Sequence, residues 1–182
     1  MSAKILDDLQ KNCFLLREIP QEKRTFEMCF YAAKGAKRKL GNNWGVLQSV
    51  PPHYRTHALC MEAVRKDGKS LEDVPLELRD REMCWAAVGN HGESLGDVPM
   101  DLRSDEMCKR AVKEYGMALL YVPSHFITKE LCMLALRTAA RRVIHIIPEM
   151  LKDEDIWGMA IERDPELVKQ APVQIITAIR GI

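Results

Sequence analysis

The sequence has no excess charge of either sign: Lys and Arg number 27 against 26 Asp and Glu, a net charge of +1. That balance excludes a general attraction to nucleic acid or anionic lipid and leaves only local patches for such a role. Long apolar runs are absent too. The opening stretch MSAKILDDLQKN mixes charge with apolar residues from the start, unlike a signal peptide. No segment reaches the ~18 to 20 apolar residues that a bilayer span requires. The expectation is a soluble, cytoplasmic protein with no membrane role; delivery into a host cell as an effector is compatible with it. The chain also lacks a Gly-rich phosphate loop and the HExxH and GxSxG signatures. None of its six cysteines has CxxC spacing, and no Cys-His cluster accompanies them. These absences predict no enzyme, no metal and no small-molecule cofactor.

What the chain does have is a repeat. Cys60, Cys84, Cys108 and Cys132 are each 24 residues apart, with Cys29 preceding them by 31. Nine residues before each anchor stands a proline: Pro20, Pro51, Pro75, Pro99 and Pro123. Pro148 holds the same place before Trp157, so a further unit keeps the frame without its cysteine. Aliphatic residues precede the prolines (Ile19, Val50, Val74, Val98, Val122, Ile147), and Leu or Ile lies four residues before them. Four residues before the anchors come Thr25, Thr56, Asp80, Ser104, Thr128 and Asp153, all good helix N-caps. Apolar residues then recur on one face of a helix, as in Met83, Cys84, Ala87 and Val88. Gly68, Gly92 and Gly116 follow at a common offset, where a left-handed C-terminal cap is expected.

The expected fold is all-α: an α-solenoid of units of about 24 residues, each an α-helix followed by a short broken or 3₁₀ helix at the Val-Pro pair. One domain, 1–182, is expected. Residues 1–24 form its N-terminal cap and first partial unit, 25–152 the core repeats with an insertion near 34–44, and 153–182 a degenerate unit and C-terminal cap. Ile5, Leu6 and Leu9 are assigned to the inner side of an opening helix, and Ile175, Ile176 and Ile179 to a closing one. The cysteines read as interior filler, too far apart between neighbouring helices to form disulfides.

Over Thr56 to Thr128 the stretches LCMEAVRKDGKSLEDVPLEL, MCWAAVGNHGESLGDVPMDL and MCKRAVKEYGMALLYVPSHF carry a family resemblance. They resemble a bacterial tandem-repeat family catalogued only as a domain of unknown function. The resemblance implies a helical array and no particular activity. The period is also similar to that of the leucine-rich repeat variant, whose units alternate an α-helix with a 3₁₀ helix. A seven-residue insertion in the first full unit and Pro165 in place of the repeat glycine are departures from the pattern.

Two features point to a non-enzymatic protein-interaction module: an adaptor, effector or inhibitor presenting a solenoid face to another protein. The first is the column after the anchor, Phe30, Met61, Trp85, Lys109 and Met133, where large apolar residues suit a recognition strip. The same column also fits the edge of a wide core stripe. The second is the insertion, where Lys37, Arg38 and Lys39 lie near Trp44. A basic loop with an aromatic can dock on an acidic protein, or hold phosphate while stacking on a base. The alternative is therefore a nucleic-acid binder using the insertion and Arg137, Arg141 and Arg142. Asp73 and Asp97 share a column, as do His53 and His125; these read as local backbone partners and exposed turn residues.

Overall fold

The computed structural model describes residues 3–36 and 45–180, and among these the chain is helical throughout, with no strand. The α-helices are α1 (Ala3–Lys11), α2 (Leu15–Glu18), α3 (Phe26–Lys34), α4 (His57–Lys66), α5 (Arg81–Asn90), α6 (Asp105–Glu114), α7 (Lys129–Val143), α8 (Glu154–Arg163) and α9 (Val173–Arg180). They group into two compact units, Met1–Leu102 and Arg103–Ile182. In the first, α3 packs against α1 and α4, and α4 against α5. In the second, α7 packs against α6 and α8, and α8 against α9.

Each repeat begins at its cap. The side-chain oxygens of Thr25, Thr56, Asp80, Ser104, Thr128 and Asp153 accept from the amides of Met28, Leu59, Met83, Met107, Leu131 and Ile156 respectively. Each bond satisfies an otherwise orphan donor of the first helical turn. Helices of about ten residues are marginal alone, so stability comes from their inner stripe. Met83, Cys84, Ala87 and Val88 are completely buried in α5, as are Met107, Cys108, Ala111 and Val112 in α6. The six cysteines are buried and form no disulfide, and Trp157 fills the anchor position of α8.

The second half of most repeats is 3₁₀ helix, as expected from the Val-Pro break; before Ile19-Pro20 and Ile147-Pro148 it is a short α-helical turn instead. Gly68–Asp73 and Leu76–Leu78 flank Val74-Pro75, and Gly116–Tyr121 and Ser124–Phe126 flank Val122-Pro123. Val74 is extended (φ −79°, ψ 133°), as the steric demand of a following proline requires. Gly68–Asp73 rests on α5, and Gly116–Tyr121 rests on α7.

The glycines are needed for a reason other than the expected one. The helices end in extended residues, Asp67 (φ −143°) and Tyr115 (φ −134°), and Gly68 and Gly116 open the 3₁₀ segments without a left-handed conformation. A Cβ on Gly68 would lie 2.3 Å from the carbonyl oxygen of Ala87, and one on Gly116 at the same distance from that of Ala135. The glycine column thus admits the backbone of the next helix. Gly116→Ala should destabilise the protein by more than ~1 kcal/mol, because the obstructing atom is backbone. Gly158→Ala, mid-helix with nothing within 4 Å of the added carbon, should stabilise by roughly 0.5 to 1 kcal/mol. Opposite shifts in the urea midpoint are the expected result.

Two other details depart from the sequence reading. α7 is interrupted at Ala139 (φ −154°, ψ 51°). That residue occupies the repeat position of Asp67 and Tyr115, so the break is the ordinary end of the repeat helix, followed by one further helical turn. In α1, Leu9 is buried but Ile5 is 41% exposed, and in α9 Ile179 is exposed while Ile175 and Ile176 are half-buried.

Candidate functional site

The column after the anchor does not form one uniform strip. Met61 is only 5% exposed and belongs to the interior. Phe30 is half-buried in an aromatic cluster: its ring stacks on Phe26 at 5.9 Å, and Lys34 Nζ lies 5.1 Å from its centre. Tyr54 meets Phe26 edge-on at 6.1 Å. Trp85 is half-buried on α5. Lys37, Arg38, Lys39 and Trp44 lie outside the described residues.

In the second unit the column changes character. Lys109 replaces the large apolar residue, is exposed, and bonds Asp105 one turn earlier. Met133 and Leu134 on α7 are left half-buried beside it. The result is a groove of about 580 Å³ between α6 and α7, with Leu131, Met133 and Leu134 as its apolar floor. Lys109, Arg110 and Lys113 rim one side, and Arg137 and Glu130 the other. The Glu130 carboxyl is lowered from its ordinary value, first by a backbone amide, then by Thr128, and less by the charges of Lys129 and Lys109. Leu134 was not singled out from sequence. The signal was an aliphatic residue in a column occupied by Glu62, Ala86 and Arg110 in the three preceding units.

Past this groove Arg137, Arg141, Arg142 and Arg163 border a hollow of about 630 Å³ that also contains Glu114 and Asp164. Arg141 is committed there: its Nε and Nη2 donate to the two Asp164 carboxylate oxygens at 2.6 and 3.1 Å. Asp73 and Asp97 use their backbone carbonyls, which accept from Arg55 and Arg79. His53 and His125 are exposed and tilt against the adjacent rings of Tyr54 and Phe126, both at 4.1 Å.

Those arginines belong to a column missed in the sequence, the residue before each cap. Arg24, Arg55 and Arg79 donate through Nε to the carbonyls of Ile19, Val50 and Val74, the residues before the prolines. Their Nη1 groups reach the following repeat, at Ser49, Asp73 and Asp97. Arg103 makes the same reach to Tyr121. The extended Val-Pro break strands a carbonyl, and the guanidinium fork satisfies it while bridging to the next repeat.

Residues 58–103 match the family described as "Domain of unknown function (DUF4116)". Comparison with curated proteins and with solved structures returns no match. Among the described residues no helix is long and apolar enough to cross a membrane.

Proposed function

We propose that the chain is a non-enzymatic protein-interaction module whose helical repeats, stacked as a solenoid within each unit, present a variable outer column to another protein. The observation that supports this is the contrast between interior and edge. The anchor position is Cys in five successive units and completely buried, while the neighbouring position, apart from the inward-turned Met61, changes along the surface through Phe30, Trp85, Lys109 and Met133. A constant frame carrying changing side chains is the arrangement by which repeat proteins build recognition surfaces. Trp85 is its principal anchor in the first unit, because a half-buried indole combines large contact area with little entropy to lose.

The second reading, nucleic-acid binding, is favoured by the four arginines of the hollow, Arg141 among them. It is weakened by Asp164 and Glu114 in the same hollow. Salt separates the two. A partner cross-linked to the purified full chain in cell lysate should survive nuclease and about 0.5 M salt, and should be lost with Trp85→Ala. Capture that is nuclease-sensitive and collapses with salt, as phosphate contacts do, and that ignores Trp85→Ala, would establish the second reading instead.

A further inference from the structure

We infer that the groove between α6 and α7 receives an acidic, amphipathic helical segment of a partner protein. The inference rests on the protein-interaction reading above and names the chemistry of one of its contacts. It starts from a comparison of columns. In the first unit the position after the anchor is filled by Met61 and Trp85, so apolar neighbours are covered by apolar side chains. In α6 that position is Lys109 and the next is Arg110, and neither can cover a hydrocarbon floor without leaving its charge in water. Met133 and Leu134 on α7 therefore remain half-exposed.

The charges select the occupant. Lys109, Arg110, Lys113 and Arg137 face the groove with Glu130 as the one lining carboxylate. Asp105 balances Lys109 and Arg110 is itself engaged, so the surplus of positive charge lies with Lys113 and Arg137, on a chain that is almost neutral as a whole. Among the described residues no side-chain hydrogen bond or ion pair engages Lys113 or Arg137. A partner that places carboxylates along both rims and apolar side chains between them complements both features. The dimensions suit a helix: α6 has ten residues, about 15 Å of axis or nearly three turns, and the volume falls in the range of ordinary binding clefts. Apolar anchors spaced three and four residues apart would meet Leu131, Met133 and Leu134. A nucleic acid fits poorly, because the floor is aliphatic and has no aromatic face on which a base could stack.

The test uses the full chain and a fluorescein-labelled helical peptide of about fourteen residues, with leucines on one face flanked by glutamates. A second peptide carries lysine in place of each glutamate. The wild-type chain should bind the glutamate peptide and not the lysine peptide. The double variant Lys113→Glu/Arg137→Glu should lose at least about tenfold in affinity for the glutamate peptide and gain binding of the lysine peptide, a rescue that a folding defect could not produce. Leu134→Asp should abolish binding of the glutamate peptide by the otherwise wild-type chain and of the lysine peptide by the double variant. The inference is overturned if both peptides bind the wild-type chain equally, if charge reversal leaves their preference unchanged, or if a single-stranded oligonucleotide displaces the glutamate peptide from the groove. Peptide failure with Trp85-dependent capture intact removes the groove and leaves the interaction module standing.

Discussion

Raising the pH from 9 to 11 should strip several kcal/mol from the stability of this protein, far more than surface titration alone would. Burial pushes the thiols of Cys29, Cys60, Cys84, Cys108 and Cys132 up from the ordinary value of 9.0 to about 11. Arginines of the clamp column pull in the opposite direction at Cys29, Cys60, Cys84 and Cys108 but do not prevail. Because the folded value is the higher one, both states are protonated below pH 9 and the thiols' contribution is fully present. Between 9 and 11 the unfolded chain releases protons that the folded chain retains, and the contribution is lost as pH rises through the folded value. Each thiol can supply a slope of up to about 1.4 kcal/mol per pH unit in that window. The measurement is the urea midpoint as a function of pH, with Cys84→Ala beside the wild type. The variant starts lower because of the cavity, and its curve should fall less steeply by one thiol's share. Parallel curves would show that burial does not hold the protons.

The same cysteines show how much of the fold could be read from the chain. Their spacing identified the repeat, and the oxygen-bearing residues four positions earlier identified each helix start; the six cap bonds follow from local chemistry, which a sequence carries openly. The glycines were legible as a position but not as a cause. A left-handed cap and a close approach both require glycine, and only the position of the Ala87 and Ala135 carbonyls distinguishes them. The clamp arginines stood one residue before the caps, in plain register, yet a charged residue in a column reads as solvated until its acceptors are known. Those acceptors are backbone carbonyls, partly in another repeat, which no side-chain pattern reveals. The binding face divides in the same way. Met133 and Lys109 were visible as members of one column, whereas the groove depends on Leu134, Lys113 and Arg137 lying across two helices. The recognition strip expected from Phe30, Met61 and Trp85 was diluted because Met61 turned inward and Phe30 found aromatic neighbours within its own unit.

Arg79→Ala should cost about 3 kcal/mol, more than any surface substitution. The side chain donates through Nε to Val74 at 2.9 Å, through Nη2 to Glu72 at 3.1 Å, and through Nη1 to Asp97. Hydrogen bonds from a charged donor contribute about 1.5 to 3 kcal/mol each, and the three are not additive because they share one group. The acceptors set the cost. Val74 is 2% exposed, so its carbonyl, turned out of the 3₁₀ ladder by its extended backbone, has little access to replacement water. Arg79→Lys should recover only a part, because an ammonium cannot present Nε and two Nη donors in one plane. For a chain of this size the loss corresponds to a fall of roughly 6 to 12 °C in the melting temperature. Arg81→Ala is the matched control, an exposed neighbour on the first turn of α5, expected to stay within about 0.5 kcal/mol of wild type. If Arg79→Ala and Arg81→Ala melt together, the guanidinium is an ornament of the turn. The joint between neighbouring repeats would then rest on their apolar stripes and on the glycine contact alone.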